Sequence, residues 1–288
     1  MKFPRYWSKA TVEDNHRNGK KISISCWRSS DASQNEAHES ARGAAQRALT
    51  CLLRGDRLDH YAYGQLPLRE EVLKSITDAQ GQPFLVMTRN NYGVVILNTA
   101  RVAFLDLDFP RTAGGGQLKR LFARWFGKPV PAPDAQQEAE IWQRLEQFVA
   151  VNSGHGFRVY RTFAGLRAIA THDLYDPASP TTLEMFQQLG TDPLYVRLCK
   201  VQECFRARLT PKPWRCGCLP NPVRWPREDA GQQSKFEKWD ANYTASQDKY
   251  ATCRLLGTLG VDQVRPEVDQ VIQIHDRMTR CNAPLPLA

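Results

Sequence analysis

Nine residues, Val102-Ala-Phe-Leu-Asp-Leu-Asp-Phe-Pro110, constrain this chain more than any other segment. Four apolar residues lead into Asp106 and Asp108, and Pro110, which has no N–H to give a ladder, ends the run. So short an apolar run, closed by a breaker, predicts a buried strand. Side chains two apart on a strand share a face. Asp106 and Asp108 are therefore expected side by side at the strand's end, with Leu107 turned into the core. Neighbouring carboxylates repel unless something neutralises them. A hard divalent cation, Mg²⁺ or Mn²⁺, does so and keeps positions open for phosphate oxygens. The plain alternative is a strand running out into solvent.

Other stretches surround this strand with mixed elements. Lys20–Trp27 alternates as a strand does, and Ser33 followed by Glu36 matches a capping box before an Ala-rich helix from Glu36 to about Leu53. A second helix is expected over Leu68–Ile76. Phe84–Thr88, Val94–Leu97 and Val102–Asp106 read as three strands of an antiparallel meander, with Asn90-Asn-Tyr-Gly93 as turn chemistry. After a Gly-rich connection, Ala113–Gly116, come a helix at Leu118–Phe126 and a Pro-rich linker at Lys128–Asp134. A helix from Ala135 to Val151 and strands at Phe157–Thr162 and Leu166–Thr171 follow. Further helices are expected at Thr181–Gly190, Pro193–Glu203, Ser246–Leu259 and Pro266–Cys281. Without a regular βαβ alternation, this order favours an α+β fold with a mostly antiparallel sheet flanked by helices. Residues 1–80 form an accessory region, 81–230 the core, and 231–288 a C-terminal helical part.

Charge is unevenly spread. Of the net charge of +9, the segment Arg197–Arg227 supplies +7, with eight Lys or Arg against the single acid Glu203. Its cations alternate with Phe205, Leu209, Pro211 and Trp214, a pattern that favours a polyanion partner over a plain solvated face. No apolar run approaches bilayer length and no signal-peptide stretch opens the chain, so a cytoplasmic protein without membrane contact is expected. Cys199, Cys204, Cys216 and Cys218 are too irregularly spaced for the usual zinc knuckle, and for Cys199 and Cys204 core packing or simple exposure is expected instead.

Two more segments bear on chemistry. Arg158, Arg161 and Arg167 lie on or beside a strand pair bent at Thr162 to Gly165, where glycine admits a phosphate and arginine clamps its oxygens. Farther on, Asp192 precedes a helix, Arg206 and Arg208 share a strand face, and Lys212, Trp214 and Arg215 extend the basic surface.

Together the three segments resemble the catalytic palm of the archaeo-eukaryotic primase (primase-polymerase) superfamily, over Phe104 to Lys212. In that family an apolar strand ends in an acid-x-acid pair, as Phe104-Leu-Asp-Leu-Asp108 does. Thr162-Phe-Ala-Gly-Leu-Arg167 is similar to the element that holds the incoming nucleotide's phosphates. Asp192, Tyr195, Phe205-Arg206 and Lys212 are similar to the third acid and the basic residues that follow it. The resemblance implies an RRM/palm-like core and a metal-dependent nucleotidyl transferase acting on DNA or RNA with nucleoside triphosphates, as in DNA replication. Asp106, Asp108 and Asp192 would be the catalytic metal ligands for two Mg²⁺ or Mn²⁺ ions. Arg161, Thr162, Gly165, Arg167 and Lys212 would bind the nucleotide, and Arg197, Arg206, Arg208, Trp214 and Arg215 the nucleic acid. Arg167 stands where the family most often has histidine, and it cannot titrate near neutrality. A palm-like binding protein with weak or no chemistry is therefore one alternative. A metal-dependent glycosyltransferase with an Asp-x-Asp pair is another, though it has no need of the basic block.

Overall fold

The computed structural model describes residues 1–15, 21–55, 67–110 and 135–288, and within them three antiparallel sheets. The first is the hairpin β1 (Tyr6–Asn15) and β2 (Lys21–Ser30), on which α1 (Gln34–Arg54) packs. Ser33 accepts a hydrogen bond from Glu36 N–H, so the helix begins where the cap predicts. The Glu36 carboxylate accepts from Ser30 Oγ, which ties helix to hairpin. Ala37, Ala41, Ala44, Ala45 and Leu49 form the buried stripe of α1, three to four apart as a helix face requires.

The second sheet runs β3 (Glu71–Thr77), β4 (Pro83–Arg89), β5 (Val95–Thr99) and β9 (Phe205–Arg208). The helix expected over Leu68–Ile76 is corrected here to strand β3. Glu, Leu and Lys favour a helix weakly, and pairing with β4 from Glu71↔Arg89 to Thr77↔Pro83 overrides that preference. The meander is also corrected, because only its first two strands pair. Thr99 Oγ1 bonds the Val102 carbonyl, and Tyr175 N–H holds the Arg101 carbonyl, so the chain leaves this sheet between Thr99 and Phe104.

The third sheet receives it. In the order β10-β7-β8-β6 lie β10 (Cys253–Gly260), β7 (Gly156–Thr162), β8 (Gly165–Ala170) and β6 (Phe104–Asp108). Strand β6, helix α2 (Ala135–Val151) and strand β7 form a split βαβ unit, with β8 inserted antiparallel between the two strands. Helix α3 (Pro180–Leu189) and helix α4 (Pro193–Gln202) follow β8. Helix α5 (Ala230–Gln247) precedes β10, and α6 (Pro266–Thr279) ends the succession. The helix expected over Ser246–Leu259 is corrected: its second half, from Cys253, is β10, paired with β7 and bulged between Leu255 and Gly257. Residues 231–288 are thus not purely helical, and β10 belongs to the central sheet. The connection at 113–116, the helix at 118–126 and the linker at 128–134 lie outside the described residues.

One apolar cluster fills the space around the third sheet. Leu105 and Leu107 of β6 share it with Ala168, Val159, Ile141 and Leu145, and with Phe186 and Leu189 of α3. These residues are at most 4% exposed, so β6 is anchored as a central strand would be although it lies at the sheet's edge. Among the described residues, no helix is long and apolar enough to cross a membrane.

Candidate functional site

Strand alternation aims Asp106 and Asp108 away from the Leu105/Leu107 core. Opposite them on β8 stand Arg167, paired with Asp106, and Gly165, paired with Asp108. A Cβ on Gly165 would come within 2.3 Å of the Leu107 carbonyl oxygen and 2.8 Å of Asp108 Cα. Glycine there lets β8 close onto the acid strand. Asp192 joins from another element. Its carboxylate caps α4 by accepting from Tyr195 N–H at 2.7 Å, while its own N–H donates to the Asp106 carbonyl at 2.9 Å. Tyr195 Oη adds a bond to the Phe104 carbonyl at 2.8 Å. The first turn of α4 is thus stitched to β6, and that brings the third acid to the pair.

The three carboxylates act on one another. Asp108 keeps solvent exposure as a residue, yet the protein around its carboxyl, then Asp106, then Asp192, push its pKa up to about 6, against the pull of Lys212 and Arg208. They do not converge on one point. Among the described residues, no group of three or more His, Cys, Asp or Glu side chains is arranged to hold a metal ion. Mg²⁺ does not require such a cage, since one or two carboxylates with substrate phosphates and water suffice, and Asp106 and Asp108 supply hard oxygens of that kind.

Cations face these acids. The Arg208 guanidinium is held below its ordinary value by burial and then by Arg167, against the pull of Asp106 and Asp108. Its Nε is buried without a hydrogen-bond partner. Lys212 is lowered to about 8 by burial, then by Arg208 and Arg215, again against Asp106 and Asp108. Arg208, Lys212 and their cationic neighbours Arg167 and Arg215 are therefore crowded together beside Asp106 and Asp108, and an additional anion would relieve the cations as a metal ion would relieve the acids. The short 3₁₀ turn Pro213–Arg215 sets two cation–aromatic contacts: Lys212 Nζ lies 5.6 Å from the Trp214 ring, and Arg215 Cζ 4.0 Å from the Phe163 ring at the β7–β8 bend.

Other expected site residues have different surroundings. Arg167 is 4% exposed and donates to the Arg208 carbonyl at 2.9 Å. It is directed inside the fold, not outward. Arg161 falls on the opposite sheet face, because it pairs with Leu166, which in turn pairs with Leu107. There it meets Glu138 of α2 at 2.7 Å and lies over Phe109. Thr162 Oγ1 bonds the Gly165 carbonyl and shapes the bend. Arg206 is buried in an ion pair with Glu70. Arg197 stands exposed on α4. The acids therefore gather with Arg208, Lys212 and the neighbouring Arg215, whereas Arg161 and Arg206 belong to other contacts.

A buried polar relay behind Arg167 had no sequence signal beyond scattered residue types. Arg167 Nη1 lies 3.2 Å from His275 Nε2, and His275 Nδ1 lies 3.0 Å from Asp276 Oδ1. A guanidinium can only donate, so Nε2 accepts and Nδ1–H donates to Asp276. Burial and Arg167 lower His275 to about 4 and keep it neutral, against the Asp276 hydrogen bond. Burial opposes ionisation of Asp276, but bonds from His275, Tyr160 and Arg158 bring it down to about 2. The cysteines are free thiols, with Cys199 near Cys204 and Cys216 near Cys218. Burial pushes Cys199 up to about 12 and Cys204 and Cys216 up to about 11.

Comparison of the chain with known proteins finds no family model, no curated protein and no solved structure that matches it.

Proposed function

We propose that this chain is a metal-dependent nucleotidyl transferase of the primase-polymerase type, acting on nucleic acid with nucleoside triphosphates. One observation carries the reading: the Asp106 and Asp108 carboxylates, with Asp192 beside Asp108, lie within electrostatic reach of Arg208 and Lys212 at the end of a sheet strand. Acids that need neutralising beside cations that need an anion suit a triphosphate and its counter-ion together. The split βαβ unit that carries β6 supports an RRM/palm-like description of the core, with β10 added outside β7.

Asp106 and Asp108 would hold Mg²⁺ or Mn²⁺, with Asp192 as the third acid if two ions bind. When bound, the ion supplies Lewis acidity at phosphoryl oxygens. The protein's own groups do the rest. Lys212 and Arg208 neutralise phosphate charge, Arg167 stiffens Arg208 through its carbonyl, and Gly165 keeps the bend close to Asp108. Arg215 and Trp214 extend the surface along which a strand would lie.

The test combines purified protein, Mn²⁺, labelled nucleotides and a primed template, beside an Asp106→Asn/Asp108→Asn variant. Incorporation by the wild type alone supports the reading. Incorporation that survives the double substitution overturns the assigned acids. The burial of Arg167 favours a second reading, a palm-like protein that binds nucleic acid without efficient chemistry, since its guanidinium is engaged by Arg208 and His275. Salt-sensitive binding with no incorporation selects that one.

A further inference from the structure

The turn between β4 and β5 presents an aromatic ring beside the cations, and the sequence pattern gives it no special role. Tyr92 is 53% exposed. Its ring meets Trp214 edge to face, with centroids 5.3 Å apart and planes at 83°. Trp214 in turn carries Lys212, whose amine senses Asp106 and Asp108. A continuous surface thus runs from Tyr92 across Trp214 to Lys212 and the acids.

An exposed tyrosine is ordinary by itself. The turn that carries this one is pinned by its own hydrogen bonds. Asn90 Oδ1 accepts from both Tyr92 N–H and Val94 N–H, and Gly93 N–H closes onto the Asn90 carbonyl at 2.8 Å. Gly93, at φ 86°, is pressed so close to Trp239 that a Cβ would come within 2.0 Å of the indole. On the other side the 209–210 segment grips β5, through Leu209 N–H to the Val95 carbonyl and Val95 N–H to Thr210 Oγ1. That grip fixes the turn against the stretch that bears Lys212 and Trp214. A ring on a pinned turn, braced on one edge by Trp214, loses less entropy when a ligand stacks on it than a ring on a free loop would. Nucleobases stack on such rings whatever their identity, provided they are unpaired and their phosphates find cations nearby. A duplex offers no free base face to Tyr92.

We infer that Tyr92, buttressed by Trp214, is a base-stacking platform for single-stranded nucleic acid, whose phosphates lie along Lys212, Arg208 and Arg215 toward the acids. The inference rests on the nucleic-acid part of the proposed function and does not require turnover. It names the ligand as an unpaired strand and the platform as sequence-tolerant.

The experiment is fluorescence anisotropy, without divalent ion, on fluorescein-labelled oligothymidylate and oligouridylate of about 15 nucleotides and on a duplex of the same length. Wild type, Tyr92→Ala, Tyr92→Phe and Asp106→Asn/Asp108→Asn are compared. Tyr92→Ala should weaken single-strand binding by about 5- to 150-fold, the range that loss of one stacked base gives. Tyr92→Phe should retain it, because it keeps the ring, and duplex binding should be weaker than single-strand binding in the wild type. The double Asp variant should bind at least as well as wild type. Equal affinity of wild type and Tyr92→Ala, or a preference for duplex, overturns the inference, as does absence of single-strand binding by the wild type. Failure of incorporation with the Tyr92 effect intact would defeat the transferase reading alone. Incorporation with no Tyr92 effect on binding would defeat the platform alone. Since Tyr92 is more than half exposed, an unchanged melting temperature for Tyr92→Ala serves as the folding control.

Discussion

Arg206 separates a structural cation from a ligand-binding one, and its removal has a calculable cost. Its side chain is 7% exposed and that of Glu70 is 5%, and Arg206 Nη2 reaches both Glu70 oxygens at 2.8 and 2.9 Å. Thr88 Oγ1 donates to the same carboxylate at 2.6 Å. Arg206→Met would leave a buried carboxylate with a single hydroxyl partner among those contacts. Breaking a buried pair from one side costs about 3–5 kcal/mol, since the surviving charge is uncompensated. For a chain of this length, roughly 2 °C of melting temperature accompanies each kcal/mol, so a fall of about 6–10 °C is expected. Glu70→Leu/Arg206→Met removes both charges, leaving chiefly the lost Thr88 bond, about 1 kcal/mol, and should recover most of that fall. Melting by calorimetry at neutral pH gives the stability. Oligonucleotide anisotropy below every melting point gives the affinity, which the double variant should keep. An Arg206→Met protein that melts like wild type but binds oligonucleotide poorly would refute the reasoning, because the guanidinium would then face the ligand and not Glu70.

Three further outcomes follow from the same geometry. Asp108 has a folded-state pKa near 6, above the ordinary carboxylate value, so the folded chain holds this proton more tightly than the unfolded chain. The stabilisation from it is complete below about pH 4 and fades as pH rises through 6, so the melting temperature of Asp108→Asn should gain on wild type across that interval; a constant difference would contradict the crowding of the acids. At neutral pH, Mn²⁺ should raise the wild-type melting temperature and chelation reverse it, with little response in Asp106→Asn/Asp108→Asn. Gly165→Ala must move β8 from Leu107 and Asp108, so it should cost about 1–3 kcal/mol in urea unfolding and reduce any metal-induced shift.

How far the sequence carried depends on where each residue's partner lies. The β6 strand, its capped neighbours and the β7–β8 bend could be read because alternation, caps and breakers are local signals, and Ser33 and Asp192 both cap the helices that follow them. Strands β3 and β10 were misread for opposite reasons. β3 is an edge strand with Val72 and Leu73 exposed, so no buried alternation marks it. In β10, Gly257 and the bulge interrupt the period. The basic block was located correctly as composition but not as surface. Glu70 lies 136 residues before Arg206, and nothing along the chain announces that they meet. The same holds for Arg161 with Glu138, and for the His275–Asp276 pair behind Arg167. Tyr92 could be placed on a turn from Asn90 and Gly93, but its contact with Trp214 depends on β5 pairing with β9.

The stitching of α4 to β6 has a consequence for how copies of this protein behave toward one another. On β6 the odd-numbered backbone groups face β8, as in Ala170 N–H to the Ala103 carbonyl and Phe109 N–H to the Ala164 carbonyl. The even-numbered carbonyls therefore point outward, where an unpaired edge would invite a foreign strand. Asp192 N–H takes the Asp106 carbonyl and Tyr195 Oη takes the Phe104 carbonyl. A helix end thus stands in for the missing neighbouring strand. The acid-bearing strand can sit at the margin of its sheet, open to a ligand at its tip, while two of its outward carbonyls are already taken and offer a foreign strand less to pair with.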